Sequence, residues 1–274
     1  MKRALLALIL ASSGMALALV IFAAPLAAQE GQLDPNWKPE GPVPRAPDGK
    51  PDLSGVWWQG REVGLAAARV GSPRPSDFVP APRPGSTSTV ASLYQPAAAA
   101  KAKTLSDKDD PALRCIPSVG GPPGVNVFQL VQTPKLIVLL QETFHGFRLI
   151  PTEPGRKHNE TQPPAYGGDS VGHWESETLV VDVTTFNDRN WISPQGTVSF
   201  HSDALHVVER YHRVAANALE VEKTYEDPKV LVRPWVDKQL LRLAPFDQVI
   251  EALCTGTETA ALMETAAKAN YGRK

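Results

Sequence analysis

Residues 205–214 read Leu-His-Val-Val-Glu-Arg-Tyr-His-Arg-Val, and residues 218–226 read Ala-Leu-Glu-Val-Glu-Lys-Thr-Tyr-Glu. Both stretches are rich in the β-branched and aromatic residues that favour strands. A short turn at 215–217 separates them, and Asn217 is suited to the left-handed conformation that a tight turn needs. The two stretches therefore predict a β-hairpin.

Similar β-branched runs, punctuated by turn residues, occupy most of the chain beyond Gly124. Their number gives roughly eight or nine strands, and closure into a barrel removes the exposed edges that an open sheet would leave. The predicted fold is mostly β, an antiparallel β-barrel with short peripheral helices, including an Ala-rich helix over 90–105 that Pro96 interrupts. The predicted strands are 53–59, 125–132, 135–142, 144–150, 178–186, 205–214, 218–226 and 236–243, with 246–254 as strand or short helix.

The amino terminus has the pattern of an export signal. Lys2 and Arg3 precede an uncharged, largely apolar run that ends in small residues near Ala28. The sequence therefore predicts a signal peptide over 1–28 and a periplasmic protein, the alternative being an uncleaved segment that anchors the chain in the membrane. An extended Pro-rich arm (29–50), a barrel domain (51–258) with a loop and helix insertion (60–123), and a tail (259–274) complete the predicted organisation.

Export makes the two cysteines interpretable, because an oxidising compartment allows thiols to pair. We predict one disulfide between Cys115 and Cys254. The formal net charge is -1 and the basic residues are scattered, so nothing indicates a nucleic-acid partner.

A first group of candidate site residues lies at 166–182, where three glycines accompany Asp169, His173 and Trp174. Glycines allow close approach of the backbone, and the titratable groups could perform acid–base chemistry. The alternative is a structural turn, in which Asp169 binds the loop and Trp174 packs beneath it.

A second group lies on the predicted strand 205–214 and just before it, at His201. A period of two places Glu209 and Tyr211 on the same face as Leu205 and Val207, which would turn a carboxylate and a phenol toward the barrel interior. Burial raises a carboxyl pKa toward the range useful for catalysis. The alternative is a structural ion pair between Glu209 and an arginine on a neighbouring strand.

Arginines supply the remaining candidates. Arg148 could bind a substrate carboxylate, although an exposed charge on the barrel wall is the reading that we favour for it. Arg210 is a second candidate, and strand alternation alone leaves open which of Glu209 and Arg210 points inward. The six histidines show no closely spaced pair, so no metal is predicted, and no cofactor motif is present.

Two resemblances add to these expectations. Gly55-Val56-Trp57 at the start of the first predicted strand resembles the entry motif of lipocalin or calycin barrels, so the expected architecture is lipocalin-like. A second resemblance rests on the stretches 51–57, 109–111, 115–117, 168–175, 178–182, 209–211, 227–228, 234–235 and 251–254. Together they resemble a large family of exported bacterial proteins, common in environmental proteobacteria and acidobacteria. The central motif reads Trp174-Glu175-Ser176-Glu177-Thr178 where members usually read Trp-Glu-Gly-Asp-Thr, so the turn glycine is lost.

Some relatives in that family resemble enzymes of lignin-derived aromatic catabolism. This resemblance implies a cofactor-independent lyase that decarboxylates a hydroxycinnamate-type phenolic compound in the periplasm. His173 or Glu209 would donate the proton, Tyr211 would hold the phenol, and Arg148 or Arg210 would orient the carboxylate, while Asp169, Trp174 and His201 would help to bind the substrate. The alternatives are a periplasmic binding or carrier protein for a small apolar or aromatic ligand, and a structural envelope domain with a filled interior.

Overall fold

In the part of the chain that the structure describes, nine strands form one antiparallel sheet that curls into a nearly closed barrel, which confirms the predicted lipocalin-like fold class. The structure is a computed structural model, and it describes residues 36–59, 90–106, 109–119, 127–142, 146–192 and 198–249. The predicted signal peptide, the tail and Cys254 lie outside these residues, so the organisation of the termini and the disulfide stay predictions. Within the described ranges, no helix has the length and hydropathy needed to cross a lipid bilayer.

Strand order in the sheet is β4-β3-β2-β1-β9-β8-β7-β6-β5. The end strands β4 and β5 lie against each other. Gly172 of β5 is so close to β4 that a Cβ atom placed on it would be 3.0 Å from Cγ2 of Ile150 and of Thr152. The strands are β1 (Gly55–Trp58), β2 (Phe128–Gln132), β3 (Leu136–Gln141), β4 (Phe147–Pro151), β5 (Asp169–Glu175), β6 (Thr178–Thr184), β7 (His206–Ala215), β8 (Ala218–Glu226) and β9 (Trp235–Leu243).

Several sequence predictions need correction. Strand β5 was not predicted, because its glycines and short polar residues are typical of a loop. Pro96 does not interrupt a helix. It begins helix α1 (Pro96–Ala102), where its fixed φ and missing N–H are tolerated, and a 3₁₀ turn (Val90–Leu93) precedes it. The described part of 246–254 contains no strand.

The β7–β8 turn also differs from its prediction. Positive φ angles occur at three described residues other than glycine, and Asn217 is not among them. Its side chain instead binds the N-terminal arm, since Oδ1 accepts a hydrogen bond from Glu40 N at 2.8 Å and Nδ2 donates one to Lys38 O at 3.1 Å. Asn217 therefore fastens the arm to the barrel.

One end of the barrel is sealed by Trp57 and Arg213. The guanidinium of Arg213 lies 5.0 Å from the centre of the Trp57 ring and donates hydrogen bonds to the carbonyl groups of Asp52 and Ser54. Trp57 is fully buried, and its Nε1 donates to Leu53 O at 2.9 Å. The stretch from Asp52 to Trp57, together with Arg213, thereby closes this end of the interior.

The opposite end is covered by the segment that carries α1. Tyr94 Oη donates to Phe200 O at 2.9 Å, and the two rings pack with centroids 4.8 Å apart. Gln95 N donates to Val230 O at 2.8 Å. The space between the two ends holds the apolar core, together with the polar cluster described next.

Candidate functional site

Four polar side chains meet at the middle of the barrel around the carboxylate of Glu209. Alternation along β7 turns Glu209 inward, as predicted, and its side chain is 0% exposed. Arg148, from β4 on the far side of the barrel, binds both of its oxygens: Nη1 donates to Oε1 at 3.2 Å, and Nη2 donates to Oε2. Lys223 Nζ of β8 lies 3.2 Å from Oε1, and Tyr211 Oη donates to Oε2 at 2.9 Å.

Strand register explains why these groups meet. Glu209 pairs with Lys223 across β7 and β8, and Lys223 pairs with Asp237 across β8 and β9. Residues that are directly opposite in an antiparallel ladder have neighbouring side chains on the same face. Three adjacent strands therefore place Glu209, Lys223 and Asp237 in one inward-facing row, and Arg148 completes the cluster from across the barrel.

The ionisation of the cluster follows from these contacts. Burial alone would raise the pKa of Glu209, but the positive charges of Arg148 and Lys223 outweigh this effect and hold its pKa at about 2. Burial lowers the pKa of Lys223, with Glu209 opposing that shift. Burial raises the pKa of Tyr211, and the neighbouring Glu209 carboxylate adds to the increase. At neutral pH, Glu209 is an anion that accepts hydrogen bonds, and Tyr211 keeps its proton.

A cavity of about 10 Å³ lies beside this cluster. Its lining includes the apolar or aromatic side chains of Phe128, Leu139 and Tyr211 and the polar side chains of Lys223 and Gln239. A volume of this size is about that of one water molecule. A ligand of aromatic size would therefore have to displace interior side chains.

Three buried polar atoms lack a hydrogen-bond partner among the described residues: Arg148 Nε, Ser170 Oγ and Tyr225 Oη. Ser170 and Tyr225 belong to one inward-facing row of cross-strand pairs. Ser170 pairs with Val183, Val183 pairs with Val207, and Val207 pairs with Tyr225. Buried polar atoms without partners are costly and usually bind water or a ligand. The interior therefore offers hydrogen-bonding capacity that the described chain does not use.

Three of the predicted site residues, Arg148, Glu209 and Tyr211, are brought together. The exposed wall position favoured for Arg148 is wrong, since its side chain is 7% exposed. Burial alone would lower the pKa of Arg148, but Glu209 outweighs this and raises it. The ion pair between Glu209 and an arginine is present, but the predicted place of the arginine is wrong: Arg148 lies on β4, across the barrel, and not on a strand next to β7.

Other predicted site residues lie outside the cluster. His173 is 59% exposed on β5, and Arg210 is on the outer face of β7; both bind Glu175, at 3.2 and 2.8 Å. Asp169 lies 2.9 Å from Nδ1 of His158. Arg210 is separated from the cluster because successive side chains of a strand point to opposite faces, and Glu209, its neighbour in β7, points inward.

Trp174 and His201 have contacts of a structural kind. Trp174 packs at the edge of the core, with Lys50 Nζ 5.5 Å from its ring centre. His201 is buried at the covered end of the barrel, where its Nε2 lies 2.9 Å from Asn190 Oδ1. Burial lowers the pKa of His201.

Sequence reasoning missed Lys223, Asp237 and Gln239. A signal for Lys223 was available, because the alternation that placed Glu209 inward also places Lys223 on the face of Val221 and Tyr225. In the part of the chain that the structure describes, no group of three or more His, Cys, Asp or Glu side chains is arranged to hold a metal ion. Comparisons of the chain with protein families, with curated proteins and with solved structures found no match.

Proposed function

We propose that this protein is an exported barrel that binds a small, neutral aromatic molecule in its interior. The observation that carries the proposal is the cavity beside Lys223, which combines aromatic and aliphatic walls with a few fixed polar groups. Small-molecule sites likewise combine apolar walls that supply affinity with polar groups that set orientation, but they are much larger, so a ligand would have to enlarge this cavity by displacing side chains. The unpartnered donors Arg148 Nε and Tyr225 Oη add capacity for a ligand oxygen.

Charge balance favours a neutral ligand over a carboxylate. The cluster contains two cationic side chains, Arg148 and Lys223, and two carboxylates, Glu209 and Asp237, all of them buried. A substrate carboxylate would add a negative charge that has no counterion there, and burial of an unpaired charge is expensive. A phenol or an aromatic aldehyde avoids this cost.

The position of the cavity supports a route for the ligand. Trp57 and Trp58 of β1 pair with Leu243 and Arg242 of β9. Gln239 lies three residues before Arg242 in β9, past the end of β1. Gln59, which follows β1, is held to Gln239 by a single side-chain hydrogen bond of 3.2 Å. Strand β1, which lies between β2 and β9, ends at Trp58, so we assign the ligand's approach to the wall just beyond this end, where Gln59 bonds Gln239.

A carboxy-lyase is the second candidate, and Lys223 is the observation that favours it. A decarboxylase must protonate the alkene carbon of a hydroxycinnamate while carbon dioxide leaves. Glu209 is already ionised at neutral pH, so it is poorly suited to donate that proton. Lys223, whose pKa is lowered by burial, lines the cavity and is a better proton donor than Tyr211, whose pKa is raised.

Titration of the purified mature protein with three probes tests both candidates. The probes are 4-methylphenol, 4-hydroxybenzaldehyde and 4-hydroxycinnamate. Calorimetry measures their binding, and chromatography detects any product formed from them. We expect the neutral probes to bind at least about tenfold more tightly than the cinnamate, because of the cost of its buried charge. Conversion of the cinnamate to 4-vinylphenol and carbon dioxide would establish the lyase instead.

A matched pair of variants locates the site. Val221→Phe would fill the cavity that Val221 lines, whereas Val208→Phe adds the same volume on the outer face of β7. We expect the first variant to lose binding and the second to retain it, with circular dichroism checking that both are folded. If no probe binds the wild-type protein, the interior is a filled structural core and the binding proposal fails.

A further inference from the structure

Lys223 differs from every other lysine that the structure describes, because it alone is buried. Its side chain belongs to the inward face of β8, together with Val221 and Tyr225. The remaining described lysines are exposed or, at Lys50, half-buried. Lysine is almost never fully buried without a specific partner. The amine of Lys223 is therefore the primary amine that a ligand would meet inside the described part of the barrel.

The surroundings of this amine suit an uncharged carbonyl compound. Lys223 lines the cavity together with the rings of Phe128 and Tyr211, so aromatic surfaces lie next to it. On its other side, Glu209 Oε1 is 3.2 Å from Nζ, and Asp237 is the residue paired with Lys223 across β8 and β9. The amine thus lies between an apolar cavity and carboxylates that balance a positive charge on its nitrogen.

Burial also favours the neutral form of the amine, which is the nucleophilic form. It lowers the pKa of Lys223, although Glu209 opposes that shift. The exposed Lys238 shows the opposite behaviour, because its hydrogen bond to Glu222 raises its pKa. A lysine that is desolvated next to an apolar cavity is the kind that forms Schiff bases with carbonyl compounds. Lys223 is therefore better suited to such a reaction than a lysine on the surface.

We propose that Lys223 captures an aromatic aldehyde as a protonated imine. This inference rests on the proposed function, since the aldehyde must first enter the binding site in the barrel. It narrows the ligand from a neutral aromatic compound to one that carries a reactive carbonyl carbon. A phenol without an aldehyde group would bind at the same place but would not react.

The reaction balances without an oxidant or any further reactant. The Lys223 ammonium loses one proton to water, and the Nζ lone pair then bonds to the carbonyl carbon as the C=O π bond breaks. A second nitrogen proton moves to the oxygen and gives a carbinolamine. The hydroxyl group leaves as water, taking up the proton that was first lost, while the nitrogen lone pair forms the C=N double bond. Ammonium and aldehyde thus become iminium and water.

The product keeps the charge balance of the cluster. The iminium nitrogen carries the same single positive charge as the ammonium that it replaces, and Glu209 remains beside it as the counterion. An aldehyde held in this form therefore adds no unpaired buried charge, whereas a bound carboxylate would. The neighbouring anion also favours the protonated imine over the neutral one.

Reductive trapping of the mature protein tests the proposal. 4-Hydroxybenzaldehyde is added with sodium cyanoborohydride, which reduces an imine to a stable secondary amine, and mass spectrometry of peptides locates the modified lysine. We expect Lys223 to be modified at least about tenfold faster than any other lysine, because the bound aldehyde lies next to its amine. Without the reductant, the absorption band of the aldehyde should shift to longer wavelength. Surface lysines modified as fast as Lys223 would overturn the proposal.

Two matched variants give the controls. Lys223→Arg keeps a cation beside Glu209 but removes the primary amine, so both the modification and the absorption shift should be lost. Lys238→Arg makes the same change at an exposed position and should react as wild type does. The peptide map of the wild-type protein identifies the reacting lysine even if Lys223→Arg does not fold.

A competitor separates this inference from the proposed function. 4-Methylphenol has no carbonyl group, so it should slow the modification of Lys223 by occupying the site. If calorimetry shows that 4-methylphenol binds but the aldehyde leaves Lys223 unmodified, the imine is wrong and the binding proposal stands. If no probe binds and Lys223 stays unmodified, both proposals fail.

Discussion

Glu209 has the largest predicted effect on stability of any single residue in the cluster. Its carboxylate is the shared acceptor for Arg148, Lys223 and Tyr211, and all four side chains are buried. The substitution Glu209→Gln keeps the shape but leaves two buried cations without this counterion. Loss of one partner from a buried ion pair ordinarily costs about 3–5 kcal/mol, so we expect the free energy of unfolding to fall by about that amount.

Urea denaturation measures this effect, and Glu175→Gln is the control, since Glu175 binds Arg210 on the exposed face. The control should leave the unfolding midpoint unchanged, because exposed ion pairs contribute little. Equal midpoints for Glu209→Gln and wild type would show that the cluster does not stabilise the barrel in the way proposed.

The same residue predicts a specific pH dependence. The pKa of Glu209 is lowered from 4.5 to about 2 in the folded protein, so the stability that its ionisation contributes is present above pH 4.5. It is lost as the pH falls toward 2. The difference in unfolding free energy between wild type and Glu209→Gln should therefore be constant from pH 7 to pH 5 and shrink below pH 4.5. Urea titrations at several pH values check this, and a difference that grew on acidification would contradict it.

At the level of secondary-structure elements, the sequence of the β7–β8 hairpin predicts which side chains point inward, but it does not predict which residues pair across the two strands. Alternation in β7 predicted that Glu209 and Tyr211 face inward, and the burial pattern confirms it. The partner of Glu209 was not predictable, because a register shift between Arg213 and Ala215 moves the pairing by one residue. That shift aligns Glu209 with Lys223 rather than with Thr224. A bulge of this kind depends on tertiary packing at the Arg213 end of the barrel and has no reliable sequence signal.

Long-range contacts were also beyond the sequence. Arg148 reaches Glu209 from β4, which is remote from β7 in the strand order, so alternation within either strand gives no indication that they meet. Strand β5 was missed because Ser170 and Gly172, together with Gly168 just before the strand, are typical of a loop. Gly168 is required there for another reason: its φ is +66°, and a Cβ would lie 2.5 Å from Thr184 O.

The β5–β6 turn yields a prediction about local strain. Ser176 adopts φ +53°, a left-handed conformation in which a Cβ atom is unfavourable. Ser176→Gly should therefore raise the free energy of unfolding by about 1 kcal/mol, whereas Ser176→Ala, which keeps the Cβ, should not. Thermal and urea unfolding of both variants check this, and equal stability of the two would refute the strain argument.

At the scale of the whole molecule, the predicted disulfide would join a residue before β2 to one beyond the described chain. Cys115 ends a 3₁₀ turn with φ +59°. A bridge to Cys254 would close a long loop and is worth about 4 to 5 kcal/mol in the chain-entropy model. Exported protein should therefore have no titratable thiol before reduction and two afterwards, with a lower melting temperature once reduced. Two reactive thiols in the native exported protein would show that the prediction is wrong.

The barrel as a whole combines a sealed end at Trp57, a covered end at Tyr94 and a charge-balanced centre beside a small cavity. A crystal structure of the protein grown with 4-hydroxybenzaldehyde tests this account most directly. We expect the ring between Phe128 and Tyr211, with Lys223 or Gln239 displaced from its present position. A bound ring on the outer surface, or an interior that remains closed around Glu209 at saturating probe, would contradict the claim that the barrel interior is the binding site.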